Sequence, residues 1–412
     1  MGQTLSEQIL SHASGSPVQA GQVVIVKPEV VMGHDALAPS VIQIMHEQLG
    51  IDNVHDPEQI VLVMDHVVPA ASISTANSQA ELRRFAHEQG IRLFDTGRGI
   101  CHQVLIEEGI AQPGQIIVGS DSHSTSYGAV GAFGTGMGST DIALVWATGR
   151  TWLTVPETIR VRVIGRFKPG IEAKDLAIKL EQILTISGAN YAAVEYHGLD
   201  WMPLHDRQTL CSMAVELGAK AGIVPPTGLK EDRFQIPEWL GLDPEAEYLR
   251  TITIDLETLE PQIAVPHAVD QVFDLADLIG TPIDQVFLGT CTNGRYADLH
   301  KASQILDGKR IAENVRLIIT PASNQELMRA MEDGTLKILI QAGGTITTPG
   351  CGACLGRHQG TLGEGEVCLS TGNRNFKGRM GASSAQIYLA SPTTAATSAL
   401  MGRICLPLEY IL

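Results

Sequence analysis

Short apolar runs that end in polar or glycine-rich residues recur along this chain. Val23-Val-Ile-Val26 leads to Met32-Gly-His-Asp35, and Ile60-Val-Leu-Val-Met64 leads straight into Asp65-His66. Ile116-Ile-Val118 runs into Gly119-Ser-Asp-Ser-His123, Val286-Phe-Leu288 into Gly-Thr-Cys291, and Leu317-Ile-Ile319 into Thr320-Pro321. Runs of this length, rich in β-branched residues, predict buried strands. Between them lie helical patterns, such as Gln79 to Gln89 and Asn324 to Met331. Strands alternating with helices predict an α/β fold with mostly parallel sheets. Ligands in such sheets bind beyond the carboxyl ends of the strands, which is where Asp65, His66, Asp121, His123 and Cys291 fall. The middle differs. Val155 to Val163 alternates like a half-exposed strand, and Pro225-Pro-Thr-Gly-Leu-Lys-Glu-Asp-Arg233 reads as a loop. Boundaries near 156 and 255 follow, giving three expected α/β units: 1–156, 157–255 and 256–412.

A length of 412 residues suits two or three cores rather than one. With 44% hydrophobic and 18% charged residues, the composition is that of a water-soluble globular protein. The formal charge of −16 argues against a nucleic-acid surface, which needs a basic field. It leaves an anionic small molecule open, because a few arginines in a pocket outweigh diffuse surface charge. The first residues carry neither a basic region nor an apolar run, so no secretory signal is expected; Thr4 and Glu7 read as a helix capping box. Met380 to Gly402 is the longest uncharged stretch, but it is full of Ser, Thr and Gly and holds Pro392, so no membrane span is expected. Seven scattered cysteines are an odd number and no disulfide framework. A cytoplasmic setting is the expectation.

The cysteines change the picture most. Cys351 and Cys354 sit in Pro349-Gly-Cys-Gly-Ala-Cys-Leu-Gly356, and Cys291 in Gly-Thr-Cys-Thr-Asn. A zinc ribbon needs a second pair, and none exists. Gly350, Gly352 and Gly356 permit close approach to a bulky group, and their N–H groups can bond cluster sulfides. The three cysteines are therefore read as a ligand set for an iron–sulfur cluster. Cys101 and Cys368 are alternative sources of a third or fourth ligand; Cys291 is preferred because it follows a strand and a Gly-Thr turn. Three thiolates on a four-iron cluster leave one iron free to act as a Lewis acid, which points to a hydro-lyase. A fourth thiolate would instead point to an electron carrier.

Asp65-His66, His34-Asp35, His102, Asp121-Ser122-His123, the Glu195-Tyr-His197 stretch and Glu216 place acids close to imidazoles. A carboxylate fixes a histidine's tautomer and raises its pKa, so such pairs can protonate a leaving hydroxyl. Gly128 to Gly138 is glycine-rich without being a phosphate loop, and close packing beside the site is its expected use. In Asn373-Arg-Asn-Phe-Lys-Gly-Arg379, Arg374 and Arg379 offer forks for carboxylates.

Together these segments resemble the aconitase superfamily, and in length and motif order its two-subunit branches, the isopropylmalate dehydratases and homoaconitases. Asp65-His66, Gly-Ile-Cys-His102-Gln, Asp121-Ser-His123, Gly-Thr-Cys291-Thr-Asn, Cys351-x-x-Cys354 and Asn373-Arg-Asn-Phe-x-Gly-Arg379 occur in the family's order. The resemblance implies a [4Fe–4S] cluster on Cys291, Cys351 and Cys354, and an acid role for His66 held by Asp65. It implies further pairs of Asp121 with His102 and Glu216 with His123. Ser122 and Arg374 would bind substrate carboxylate, Arg379 would support the catalytic base, and Asn293 and Asn373 would lie near the cluster. Two departures stand out. Ser212 replaces the usual Asn, and the aconitase-type Gln near the first strand has no match unless His34 or Asp35 takes its place. Nothing after Arg379 resembles the swivelling domain of single-chain aconitases, which carries the serine base. The resemblance therefore implies a separate small subunit. It also implies dehydration and rehydration of a 2-alkylmalate, with homocitrate-type chemistry as the alternative. An iron sensor that binds nucleic acid is a rival that the charge disfavours.

Overall fold

The computed structural model describes residues 2–407, so the extreme ends of the first and third expected units lie outside the described residues. Four sheets organise the described residues. Five parallel strands form the first, in the order Arg92–Phe94, Ile60–Val63, Val30–His34, Ile116–Gly119, Phe133–Gly136. Four parallel strands form the next, Ala221–Ile223, Ala193–His197, Thr158–Ile164 and Arg250–Asp255. Seven strands form the largest, ordered Val272–Asp274, Gln262–Ala264, Gln386–Leu389, Val367–Ser370, Gln285–Gly289, Arg316–Thr320, Thr345–Ile346. Its first two strands run antiparallel and the rest are parallel. The expected α/β class with mostly parallel sheets is what the chain adopts.

The apolar runs explain the strands. Ile60–Val63 and Ile116–Gly119 are buried along their whole length, as strands covered on both faces must be. Val23–Val26 departs from expectation. It does not join the parallel sheet but pairs with Thr151–Thr154 in a separate antiparallel ribbon. Its burial alternates, with Val23 and Ile25 exposed, so only one face is covered. Val30–His34 is the strand that leads to His34 and Asp35. The expected strand from Val155 also starts later, at Thr158, because Pro156 cannot contribute a ladder N–H. The capping box at Thr4 forms, with Glu7 Oε2 accepting from the Thr4 amide at 2.9 Å. The glycine-rich stretch packs tightly: a methyl on Gly128 would overlap the carbonyl of Gly222, and one on Gly134 that of Ser124.

Both larger parallel arrays reverse their strand order once. In the first sheet the chain moves outward from Val30–His34 in one direction and from Ile116–Gly119 in the other. In the seven-stranded sheet the reversal lies between Gln285–Gly289 and Val367–Ser370. A crevice opens at the carboxyl ends of strands at such a switch point. Here the residues that follow these strands share one cavity.

Candidate active site

A cavity of about 90 Å³ is lined by His66, His102, Asp121, Ser122, His123, Cys291, Cys351, Cys354, Asn373, Arg374 and Arg379, among others. These residues come from the ends of strands in two sheets and from the loops beyond them. Beside it lies a larger open cleft of about 510 Å³ that shares His66, Asp121, Ser122 and Leu355 with the cavity.

On the first sheet, Asp35 shapes the turn after Ile60–Val63. Its carboxylate accepts from the amides of Asp65 (3.1 Å), His66 (2.9 Å) and Val67 (3.2 Å), and from Gln79 Nε2 at 3.1 Å. The turn aims His66 at the cavity. Asp65 Oδ1 lies 2.6 Å from His66 Nδ1, while Asp65 Oδ2 accepts from the Cys101 amide at 2.7 Å. His34 stacks on the His66 ring with centroids 3.8 Å apart. Burial and the neighbouring charge of His66 push the His34 pKa down to about 4, so His34 is neutral at pH 7. For His66, burial favours the neutral ring, but the charges of Cys351 and Asp65 and the hydrogen bond to Asp121 outweigh it and raise the pKa well above the usual value.

Asp121 is the meeting point of three histidines. Its carboxylate lies 3.1 Å from His66 Nε2 and 3.0 Å from His102 Nε2, and accepts from the His123 amide at 2.6 Å. Burial alone would raise its pKa; the hydrogen bonds from His102, His123 and His66 hold it well below the usual range. His123 Nε2 turns to Glu216 Oε1 at 3.0 Å. Arg374 Nε contacts both Glu216 oxygens, at 2.7 and 3.0 Å, and its Nη2 donates to Ser122 Oγ at 3.1 Å. Burial again opposes ionisation of Glu216, and the His123 hydrogen bond and Arg374 charge prevail, keeping it a carboxylate.

Across the cavity, Cys291 follows Gln285–Gly289, and Asn373 and Arg374 follow Val367–Ser370. Cys351 and Cys354 lie on the loop after Thr345–Ile346. That loop is pinned to the first sheet: the Cys351 amide donates to the Asp65 carbonyl at 2.9 Å, and His358 Nε2 contacts the His66 carbonyl at 2.9 Å. Gly350 has φ +153, and a methyl there would press on the Asp65 carbonyl; Gly352 has φ +55, and a methyl there would overlap Thr320. Only glycine lets the cysteine loop pass so close.

The donor set suits an iron–sulfur cluster on physical grounds. All three thiols are half-buried, undisulfided and face one cavity. Two of them already have donors at sulfur, Ser212 Oγ to Cys291 at 3.3 Å and Arg379 Nη2 to Cys354 at 3.4 Å. Such bonds are what thiolates on a cluster require. Burial pushes the Cys291 thiol up to about 11, and Cys351 is raised as well, so a cation is needed to hold them as thiolates. Neither alternative, Cys101 or Cys368, lines the cavity.

Three expected residues fall elsewhere. Asn293 does not line the cavity; its amide donates to Asp298 at 2.9 Å. Glu195 accepts from the amides of Leu5 and Ser6 at the start of the first helix, and His197 leans on it at 3.2 Å, so that pair is a helix anchor. Sequence reasoning passed over Lys174, a fully buried ammonium that grips the carbonyls of Thr371 and Gly372 just before Asn373. Its signal was faint: one of two lysines in the amphipathic helix Ala173–Leu184, the other being the half-buried Lys179.

Comparison with known proteins agrees with this geometry. The model for the aconitase family (aconitate hydratase) matches residues 7–282 and 276–402. The chain is 55% identical over 409 residues to the 3-isopropylmalate dehydratase large subunit of Herpetosiphon aurantiacus, covering 99% of this chain and 97% of that protein. It is 53% identical to the homoaconitase large subunit of Thermus thermophilus, covering 99% and 98%. A 3-isopropylmalate dehydratase large subunit from Deinococcus radiodurans is 51% identical, covering 98% and 94%.

Proposed function

We propose, from the premise that this chain belongs to the aconitase family, that it is the cluster-bearing large subunit of a two-subunit hydro-lyase. Its reaction is the interconversion of 2-isopropylmalate and 3-isopropylmalate by dehydration and rehydration, a step of leucine biosynthesis. One observation carries the reading: three cysteines line the same small cavity as three acid-paired histidines and two arginines.

Cys291, Cys351 and Cys354 would hold a [4Fe–4S] cluster. When bound, it supplies a Lewis acid for the substrate's hydroxyl and carboxylate. His66, held at Nδ1 by Asp65, carries a proton on Nε2 and delivers it to the departing oxygen. Asp121 and His102 steady the charge of that imidazole from the other side. Ser122 and Arg374 bind a substrate carboxylate, and Glu216 with His123 fixes the plane of the Arg374 fork. Arg379 supports the base that removes the C–H proton, and Asn373 lies against Cys291. That base belongs to the partner: a separate small subunit, carrying the swivelling domain, closes the site. The three α/β units at 1–156, 157–255 and 256–412 each contribute a sheet, and the site lies between the first and third.

The relative named homoaconitase supports a second reading, the same chemistry on homocitrate with a third carboxylate. Anaerobic reconstitution tests the central claim. The loaded chain should be brown and hold about four irons, as such clusters do. Cys291→Ser, Cys351→Ser and Cys354→Ser should each lose the colour, while Cys211→Ser and Cys405→Ser keep it. A colourless protein that binds only zinc would overturn the reading. Turnover of isopropylmalate, homocitrate and citrate with the small subunit present then fixes the substrate.

A further inference from the structure

Ser212 takes no part in the chemistry above, yet its hydroxyl lies against a cluster ligand. It sits on the helix Leu204–Met213 and is completely buried. A serine hydroxyl has one proton to give. Asn373 Nδ2 donates to Ser212 Oγ at 3.0 Å, which occupies one lone pair and leaves the proton to point elsewhere. The partner in its path is Cys291 Sγ, 3.3 Å away. Asn373 cannot swing aside. It is fully buried, its Oδ1 accepts from Thr292 Oγ1 at 3.2 Å, and Lys174 clamps the carbonyls just before it.

We infer that Ser212 is a positioning residue for the electronic state of the cluster, donating its O–H to the Cys291 thiolate and raising the cluster's one-electron reduction potential. A hydrogen bond to a ligand sulfur draws off negative charge, which favours the more reduced, more negative cluster. Here Ser stands where the resemblance expects Asn. The donor is a hydroxyl oriented by Asn373 rather than an amide, so this chain reaches the sulfur by a two-residue relay. The inference rests on the proposed role of Cys291 as a ligand.

Wild-type protein, Ser212→Ala and Ser212→Asn are reconstituted anaerobically and titrated electrochemically, with the reduced cluster followed by paramagnetic resonance. Ser212→Ala should retain full iron and shift the one-electron equilibrium roughly tenfold toward the oxidised form, a fall of ~60 mV at ~59 mV per decade. Ser212→Asn restores an N–H donor and should stay within a third of that shift. An Ala variant with full iron and the wild-type potential overturns the inference. If the Ala variant takes up no cluster, uptake by Ser212→Thr and Ser212→Asn supports a required donor, and failure of all three shows a steric role and overturns it. Wild-type protein that takes up no cluster sinks the ligand reading itself, and this inference with it.

Discussion

Asp121 holds three imidazoles around one carboxylate, and that crowding governs what each histidine can do. A proton placed on His66 is stabilised at both ring nitrogens, by Asp65 at 2.6 Å and Asp121 at 3.1 Å. Removing the ring should therefore cost the acid step rather than substrate affinity. With the partner present, His66→Ala is expected to lower kcat by roughly 10²–10⁴ and leave KM nearly unchanged in steady-state kinetics. Arg374→Lys should do the reverse. An ammonium cannot span both Glu216 oxygens and Ser122 as the fork does, so KM should rise by about one to two orders of magnitude with a smaller change in kcat. The pairing of Asp65 with His66 was legible in the sequence because the two are neighbours, whereas Asp121 with His102 and Glu216 with His123 lie 19 and 93 residues apart and were implied only by the family resemblance. That Asp121 serves His66 as well as His102 was not legible. Residues 66 and 121 meet because Ile60–Val63 and Ile116–Gly119 flank Val30–His34 and end on the same side of the sheet, with His102 brought in by the helix Cys101–Glu107, and that strand order is a property of the sheet.

Elements set the distances between the two halves of the site. Gly352 at φ +55 lets the cysteine loop pass Thr320, and no L side chain fits there without strain. Gly352→Ala should leave the helical circular dichroism intact while the reconstituted iron content falls to roughly half or less, because overpacking displaces a loop more readily than a core. The helix Cys101–Glu107 supplies a second tie. Glu107 at its end accepts from Ser323 Oγ at 2.6 Å, and burial pushes its pKa to about 7. The folded chain thus binds this proton more tightly than the unfolded chain. Below pH ~4.5 the group is protonated in both states and costs nothing; from there to pH 7 its effect on stability grows, and above pH 7 it levels off at about 2 kcal/mol after allowance for its partial exposure. Urea melts at pH 5 and pH 8 should show Glu107→Gln losing less stability between the two than wild type. Fully apolar runs such as Ile60–Val63 announced their strands because burial on both faces leaves no polar position. The Val23–Val26 ribbon misled for the converse reason: its four residues are just as apolar, but two of them face outward.

At the scale of the whole molecule, the cavity opens beside a cleft of about 510 Å³ that shares His66, Asp121 and Ser122 with it. Acid-paired histidines and Arg374 line the cavity, and in the proposed mechanism no group there removes the C–H proton. The chain alone should therefore be nearly inactive on isopropylmalate, homocitrate and citrate under anaerobic conditions. Adding a small subunit should restore turnover and protect this rim from hydrogen exchange. Full activity from the chain alone would refute the two-subunit arrangement. No helix among the described residues is long and apolar enough to cross a membrane.

The bond from the Cys351 amide to the Asp65 carbonyl joins residues almost 290 positions apart. A ribosome adding about 5–20 residues per second needs tens of seconds to travel between them. Throughout that interval the nascent chain displays Asp65 and His66 with nothing opposite, and then Cys291 without its two companions. The pocket around the three cysteines is thus closed late, by contacts between residues far apart in the chain, which are also the slowest kind to form. If the proposed cluster is held there, its iron must arrive after the cysteine loop has docked on Asp65, and cells starved of their cluster-assembly machinery should accumulate this protein folded but colourless rather than unfolded.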